Sequence, residues 1–390
     1  MRVPVLVPRL RPFTSTIFAE MTALAQRTGA VNLGQGFPDT DGPAGMLAAA
    51  KEAIDSGFNQ YPPGPGMPVL REAVAEHRER YGTRYDPDTE VLVTVGATEA
   101  IAATLLAIVE PGDEVVLIEP YYDSYAASVA LSGATRCTVG LVEDPVTGRL
   151  GLDVDALRAA IGPRTRALLL NSPHNPTGTV FTREELSAVA KLCVEHDLIA
   201  VTDEVYEHLV FDGGEHVPLA TFPGMASRTV TISGAGKSFN CTGWKIGWAC
   251  GPAELIAAVR AAKQFLTFVG GAPFQPAVAH ALRHEMAWVA GLRDGLADKR
   301  SRLAEGLAEA GFAVRPCQGT YFICADVRPL GFSDGAELCR ALPEKIGVAA
   351  VPVQVFTDHP DQWRHLVRFA FCKKDDVIDE ALRRLHELAP

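Results

Sequence analysis

The middle of this chain alternates short apolar runs with segments of helical periodicity. Runs that are apolar at every position are typical of strands buried on both faces, and such strands occur in mainly parallel sheets covered by helices. The alternation therefore predicts an α/β fold. The predicted strands are 91–95, 114–119, 166–171, 198–203, 229–233 and 246–251, and the predicted helices are 98–109, 122–132 and 183–196.

The pattern changes after about residue 276. A long helical stretch, 276–310, precedes the short apolar runs FAVRP, TYFICA, IGVAAV and HLVRFAF, which alternate with predicted helices at 334–342 and 375–388. This α+β pattern predicts a second, smaller domain, as a chain of 390 residues allows. The expected divisions are an N-terminal segment that joins the smaller domain (1–45), a large domain (46–280) and a small C-terminal domain (281–390).

Charge and cysteine usage exclude several classes of partner. A net charge of −11 without any basic run argues against nucleic acid and anionic membranes. The eight cysteines form no Cys-x-x-Cys pair, so neither a disulfide framework nor a metal site is indicated, and a reducing cytoplasm is expected. Prolines and Arg9 interrupt the apolar N-terminus, and no segment is long enough to span a membrane, so neither a signal peptide nor a membrane anchor is expected.

The segment Gly236-Lys237-Ser238 resembles the end of a nucleotide-binding P-loop. A P-loop needs a further glycine five residues before its Gly-Lys pair and a helix directly after it. Thr231 occupies the place of that glycine, and the residues after Lys237 lack helical periodicity. A P-loop NTPase therefore stays the weaker alternative, and Lys237 needs another role.

Polar residues follow five of the apolar runs, where ligands of open α/β sheets bind. They are Gly96-Ala97-Thr98, Tyr122, Asn175, Asp203 and Lys237. An amine, a carboxylate, a hydroxyl, an amide, an aromatic ring and backbone N–H groups are what pyridoxal 5′-phosphate (PLP) requires. Taken singly, Asp203 also suits a helix cap, Tyr122 a core position and Asn175 a turn. Their combination predicts a PLP site.

The chain resembles the class I/II aminotransferases of PLP fold type I in three segments, NSPHNPTG (171–178), VTDEVYEHL (201–209) and SGAGKSFNCTGWKIGW (233–248). The resemblance extends from VNLGQGFPD to HLVRFAF and thus covers nearly the whole chain. It is strongest to the subgroup of kynurenine and methionine aminotransferases, and within it to the actinobacterial N-succinyldiaminopimelate aminotransferases. It implies a large α/β domain with a mainly parallel seven-stranded sheet, a smaller α+β domain and a homodimer.

The resemblance implies three catalytic residues. Lys237 would bind the cofactor aldehyde covalently and then transfer the proton as general base and acid. Asp203 would pair with the pyridine nitrogen and keep it protonated. Tyr206, together with Asn175, would donate to the phenolate oxygen of the cofactor.

The remaining cofactor contacts follow from the same resemblance. Tyr122 would stack on the ring, and the backbone at Gly96, Ala97 and Thr98 would bind the phosphate with Lys245 as its counter-charge. The family usually has a phosphate-binding serine at the position of Gly234. Either Ser233 reaches the phosphate through a shifted backbone, or water replaces that hydrogen bond.

The substrate contacts are implied in the same way. Arg368 would hold the substrate α-carboxylate, helped by Asn175 and the backbone at Gly36. Phe18 would contact the substrate side chain. Tyr61 would reach the phosphate of the neighbouring subunit, which makes the active site composite and the homodimer obligatory.

The expected reaction uses glutamate and 2-oxoglutarate as one pair and N-succinyl-diaminopimelate, an intermediate of lysine biosynthesis, as the preferred partner. No arginine identifies itself for the second substrate carboxylate, so backbone amides near Gly270 and Gly271 or solvent are expected there. Kynurenine, methionine or glutamine as substrate and cysteine-conjugate β-lyase activity stay open as alternatives. A PLP-binding transcription regulator is not expected, because no DNA-binding segment fits before Val31.

Overall fold

The computed structural model describes residues 5–14 and 16–388, in which strands and helices alternate. The strands are β1 (Val31–Asn32), β2 (Val91–Val95), β3 (Glu114–Glu119), β4 (Thr135–Glu143), β5 (Leu150–Leu152), β6 (Thr165–Asn171), β7 (Ile199–Asp203), β8 (Thr229–Gly234), β9 (Ile246–Cys250), β10 (Ala313–Val314), β11 (Phe322–Asp326), β12 (Val348–Ala349), β13 (Val351–Pro352) and β14 (Leu366–Ala370). The helices are α1 (Ile17–Thr28), α2 (Ala44–Asp55), α3 (Pro68–Arg78), α4 (Gly96–Ile108), α5 (Asp123–Ser132), α6 (Val154–Ala160), α7 (Arg183–Glu195), α8 (Ala235–Ser238), α9 (Ala253–Lys263), α10 (Phe274–His284), α11 (Met286–Glu309), α12 (Gly335–Lys345), α13 (Pro360–Trp363) and α14 (Asp375–Leu385).

The large sheet has the strand order β2-β9-β8-β7-β6-β3-β4-β5. Its strands β8, β7, β6, β3 and β4 run parallel to one another, whereas β9 and β5 are antiparallel to their neighbours. The predicted α/β fold is therefore confirmed, and the mainly parallel sheet gains a short eighth strand, β5, at one edge. The sequence pattern missed β4 because this strand near the edge is partly exposed and is not wholly apolar.

The smaller sheet is antiparallel, with the order β10-β11-β14-β13. Near it, β1 pairs in parallel with β12, with Val31 opposite Val348. The N-terminal segment thus contacts the C-terminal elements directly. Residues 1–4 and 15 of the predicted segment 1–45 lie outside the described residues, and the division into domains stays a prediction.

The predicted helix 276–310 is two helices, α10 and α11, separated at Glu285. α10 packs against α2 and α3, whereas α11 packs against α14 near the C-terminus. The break redirects the chain from one part of the fold to the other, which helical periodicity alone does not reveal. Within residues 5–14 and 16–388, no helix combines the length and the apolar character needed to cross a membrane.

Candidate active site

A cavity of about 250 Å³ lies at the carboxyl ends of the parallel strands of the large sheet. The polar residues that follow separate strands meet there because those ends share one edge of the sheet. The predicted residues that line it are Phe18, Gly36, Gly96, Ala97, Thr98, Tyr122, Asn175, Asp203, Tyr206, Lys237, Lys245 and Arg368. The convergence expected from the strand ends is therefore present.

Asp203 ends β7 and is buried beside the cavity. Its carboxylate accepts the hydroxyl of Tyr125 at 2.6 Å and the backbone N–H of Val205 at 3.2 Å. Burial raises the pKa of Asp203, and these two hydrogen bonds oppose the rise. A desolvated carboxylate at this position favours a cationic partner in the cavity.

Lys237 lies in the single-turn helix α8, directly after β8. Burial lowers the pKa of its amine to about 8, with the neighbouring Arg368 contributing in the same direction. Its Nζ donates to the hydroxyl of Tyr321 at 2.8 Å and to the carbonyl of Gly36 at 3.3 Å. An amine with this pKa is partly neutral in the physiological pH range and is then a nucleophile.

The N-terminus of α4 lies on the cavity wall, where its free backbone N–H groups suit an anion. Gly96 has a φ of +72°, and a Cβ there would approach Lys245 Nζ to 3.2 Å. A Cβ at Gly247 would come within 2.8 Å of the backbone nitrogen of Ala97. Because neither glycine has a Cβ, the backbone at Ala97 and the amine of Lys245 have room for a close approach. Backbone N–H groups and a cation therefore face the same part of the cavity.

Ser233 does not reach the cavity, so its predicted contact with the phosphate is wrong for this structure. Successive residues of a strand point to opposite faces, and the buried Ser233 hydroxyl donates to Glu207 at 2.6 Å. Gly234 does line the cavity, but a Cβ there would lie 3.0 Å from the carbonyl oxygen of Ile246. The close approach of that carbonyl is a physical reason for glycine at position 234. Thr242, which carries a hydroxyl, also lines the cavity.

Arg368 lies in the middle of β14 and is 1% exposed. Its guanidinium donates to Asn175 Oδ1 and to the carbonyl of Gly34, both at 2.9 Å, and lies 3.9 Å from the ring centre of Phe322. Its buried Nε has no partner among the described residues. A carboxylate ligand would satisfy this donor. Since Asn175 uses its oxygen for Arg368, its amide NH2 is the group left to donate to a ligand.

Tyr61 lies outside the cavity and is 81% exposed in the single chain. Its ring packs edge-on against Phe268 at 5.3 Å between ring centres. The predicted contact with a neighbouring subunit stays a prediction.

Two tyrosines of this site were not predicted from the sequence. Tyr125 follows the predicted Tyr122 by one helical turn, and this spacing is a signal that would have found it. Tyr321 precedes β11 and is far from Lys237 in sequence, so no local pattern connects the two.

A buried ionic cluster lies beside the segment that carries Asp203 and Tyr206. Arg78, at the end of α3, forms ion pairs of 2.9 Å with both Glu204 and Glu207. The guanidinium lowers the pKa of both carboxyl groups against the effect of burial. The cluster thereby joins α3 to the chain that follows β7.

Comparison with known proteins agrees with this chemistry. The family model of aminotransferase class I and II matches residues 28–385. The chain is 64% identical to the probable N-succinyldiaminopimelate aminotransferase DapC of Mycobacterium tuberculosis over 98% of both chains. It is 39% identical to the methionine aminotransferase of Escherichia coli over 97% of both chains. The solved structure of N-succinyldiaminopimelate aminotransferase from Mycobacterium tuberculosis matches with a TM-score of 0.97 at 65% identity, covering 99% of this chain and 100% of that one.

The cavity fits the cofactor of this family. A partly neutral lysine amine suits an aldehyde, a buried carboxylate suits a protonated ring nitrogen, and a helix N-terminus with Lys245 suits a phosphate. These observations and the full-length matches lead to one conclusion: the chain belongs to the class I and II aminotransferase family and is a PLP-dependent aminotransferase of fold type I.

Proposed function

We propose that this aminotransferase exchanges an amino group between the glutamate/2-oxoglutarate pair and N-succinyl-diaminopimelate, in lysine biosynthesis. The observation that carries the proposal is the 64% identity to the mycobacterial relative, which extends over 98% of both chains. The match extends over nearly the whole chain, so it spans the segments that line the cavity.

Lys237 is assigned to covalent attachment of the cofactor and to proton transfer. When bound, PLP supplies an electrophilic aldehyde and a ring that delocalises the electrons released at the substrate α-carbon. The pKa of Lys237, about 8, leaves part of the amine neutral and able to accept a proton at Nζ.

Asp203, Tyr206 and Asn175 are assigned to the cofactor ring. Asp203 would pair with the ring nitrogen, and at about 4 Å and an effective dielectric near 20 such a pair is worth about 4 kcal/mol. Tyr206 is buried and its pKa is raised by that burial, so its hydroxyl keeps the proton that it would donate to the phenolate oxygen. The NH2 group of Asn175 would donate to the same oxygen.

The phosphate is assigned to the N-terminus of α4, formed by Gly96, Ala97 and Thr98, with Lys245 as counter-charge. Thr242 is added to this group in place of Ser233, because it lines the cavity and carries a hydroxyl. Tyr122 would stack on the ring.

Arg368 is assigned to the substrate α-carboxylate, with support from its unpartnered Nε. It is the one arginine among the described residues that line the cavity, so the distal carboxylate of glutamate or of the succinyl group needs other donors. The backbone near Gly270 is a candidate, since a Cβ at Gly270 would lie 4.0 Å from Ile246, a residue of the cavity wall. Phe18, also on that wall, would contact the substrate side chain.

A panel of amino donors tests the substrate assignment. With 2-oxoglutarate as acceptor, we expect N-succinyl-diaminopimelate to give the highest kcat/KM among that compound, methionine, kynurenine and glutamine. Methionine is the second candidate, because the relative from Escherichia coli is a methionine aminotransferase. A tenfold advantage of methionine or kynurenine, about 1.4 kcal/mol of transition-state preference, would contradict the succinylated substrate and leave the aminotransferase assignment intact. Release of pyruvate and ammonia from a cysteine conjugate would reveal β-lyase activity.

We also propose that the enzyme is a cytoplasmic homodimer with composite active sites. The dimer is supported by the exposure of Tyr61, Phe265, Leu266 and Phe268, of which Tyr61 and Phe268 pack together, because exposed apolar patches mark interfaces. Eight free cysteines support a reducing compartment.

A further inference from the structure

Tyr321 makes a direct contact with the amine of Lys237. Its hydroxyl accepts a hydrogen bond from Lys237 Nζ at 2.8 Å and donates one to the carbonyl of Gly36 at 2.6 Å. Lys237 Nζ also donates to that carbonyl at 3.3 Å, so the three groups form a closed triangle. The lysine amine is thus held by one side chain and one backbone oxygen.

The surroundings fix the position of the Tyr321 hydroxyl. The side chain is 1% exposed, and its ring packs edge-on against Tyr206 at 5.3 Å and against Phe322 at 4.8 Å between ring centres. Burial raises its pKa well above the ordinary value for tyrosine, so the hydroxyl stays protonated and can donate to Gly36. A rigid ring with a protonated hydroxyl presents its oxygen lone pairs to the lysine.

This triangle determines which part of the lysine amine remains available. A neutral amine has two N–H bonds and one lone pair, and the hydroxyl of Tyr321 and the carbonyl of Gly36 accept one N–H each. The lone pair is then the one group left for a proton. Lys237 is a free amine of this kind whenever substrate has taken its place on the cofactor, which is when the α-proton must be removed.

We propose that Tyr321 is a positioning residue for transamination: its hydroxyl holds the freed Lys237 amine so that the nitrogen lone pair faces the α-hydrogen of the substrate. The proton moves from the substrate α-carbon to Nζ and gives an ammonium group, while the electron pair stays on the substrate side. The proposal rests on the role assigned to Lys237 in the proposed function.

The variant Tyr321→Phe in the PLP-loaded enzyme tests the proposal, because it keeps the ring and removes the hydroxyl. In single-turnover experiments with glutamate, we expect the half-reaction to slow by about 10- to 100-fold, as for the loss of one well-aligned hydrogen bond to a reacting group. The apparent affinity for glutamate should change by less than about twofold, since Arg368 is assigned to its carboxylate. The isotope effect with α-deuterated glutamate should increase, because proton transfer becomes slower than the other steps.

A spectroscopic measurement separates positioning from packing. In the resting enzyme Lys237 is bound to the cofactor, so the pH midpoint of the visible absorbance change should move by less than about half a unit in Tyr321→Phe. Tyr85→Phe is the matched control, because Tyr85 packs in a different apolar cluster and does not line the cavity. We expect that variant to retain the wild-type rate and isotope effect.

Three results would overturn the proposal. One is a Tyr321→Phe half-reaction within about twofold of wild type with an unchanged isotope effect. Another is a loss of activity that comes with weaker glutamate binding or a shifted absorbance midpoint while the isotope effect stays constant. The third is a wild-type cofactor adduct on a lysine other than 237, and this result alone would also contradict the proposed function.

Incorporation of 3-fluorotyrosine at position 321 provides a second variant if Tyr321→Phe does not fold. The fluorine weakens the oxygen as a hydrogen-bond acceptor and keeps the hydroxyl in place. We expect a smaller rate loss in the same direction, again with a larger isotope effect. An unchanged rate and isotope effect in this variant would contradict the proposal.

Discussion

Tyr125 donates its hydroxyl to Asp203 through a buried hydrogen bond of 2.6 Å. Burial raises the pKa of Asp203, and this bond is the strongest of the interactions that oppose the rise. Tyr125 therefore helps the carboxylate stay ionised in a place where it is desolvated, which is the state that a protonated ring nitrogen requires.

Removal of that hydroxyl in Tyr125→Phe should raise the pKa of Asp203 further. An acid whose pKa rises loses its ionised form at a higher pH, so we expect the acid limb of the kcat/KM profile for glutamate to move to higher pH. Near neutral pH, kcat/KM should fall by about tenfold, as for the loss of one hydrogen bond to a charged group. Tyr121→Phe, which loses a bond to Asp358 outside the cavity, is the control. An acid limb that stays in place would count against the ionised role of Asp203.

The charge of Asp203 is tested directly by Asp203→Asn, which keeps the size of the side chain. We expect PLP to bind and turnover to fall on the order of 10³-fold, since about 4 kcal/mol of ion pairing is lost. Absorbance of the bound cofactor and kcat are the two measurements. Nearly normal turnover would show that the ring nitrogen is not controlled by this residue.

Subunit mixing tests the composite site. Tyr61 is exposed in the single chain, and we propose that it serves the neighbouring subunit. A heterodimer of Tyr61→Phe and Lys237→Ala chains then contains one site of wild-type composition and one doubly defective site. We expect mixtures of the two variants to exceed the mean activity of the parent homodimers. Activity equal to that mean would place Tyr61 in the site of its own subunit.

The buried cluster around Arg78 predicts a stability effect. Arg78→Met leaves Glu204 and Glu207 buried without their cation, and we expect the free energy of unfolding, measured in urea at pH 7, to fall by about 3–5 kcal/mol. Arg283→Ala, which breaks a more exposed pair with Glu76, should cost less than about 1 kcal/mol.

The effect of Arg78→Met should depend on pH. The folded-state pKa values of Glu204 and Glu207 are lowered, so their pairing stabilises the protein above their unfolded-state pKa and is lost as the pH falls through the folded values. The difference between wild type and variant should therefore shrink on acidification. A difference that is constant with pH would show that Arg78 contributes through packing alone.

Among the strands of the large sheet, the sequence predicted the six that are largely buried and missed β4 and β5 at one edge. The apolar runs predicted between residues 91 and 251 correspond to strands within one residue at each end. Strand β4 is partly exposed and gave no such signal. The residues that follow the predicted strands also indicated the position of the cavity. The carboxyl ends of parallel strands share one edge of the sheet, whatever their separation along the chain.

The site predictions that were wrong or missing concern the direction of one side chain and a contact between residues that are far apart in sequence. Ser233 is next to a cavity residue in sequence, but the strand pleat turns its hydroxyl to the opposite face. Tyr321 contacts Lys237 because the segment before β11 reaches the large sheet, and no local pattern encodes that approach. Propensity and motif spacing describe neighbours along the chain, whereas these contacts depend on tertiary packing.

Mapping the cofactor adduct tests the central assignment most directly. Borohydride reduction of the PLP-loaded wild-type enzyme, followed by peptide mass spectrometry, should place the pyridoxyl group on Lys237, the amine whose pKa burial lowers to about 8. Lys237→Ala should give no reducible adduct, whereas Lys245→Ala, the control, should retain it and need more PLP for saturation. A reduced adduct on Lys245 or on any other lysine of the wild-type enzyme, or an adduct that persists in Lys237→Ala, would contradict the account.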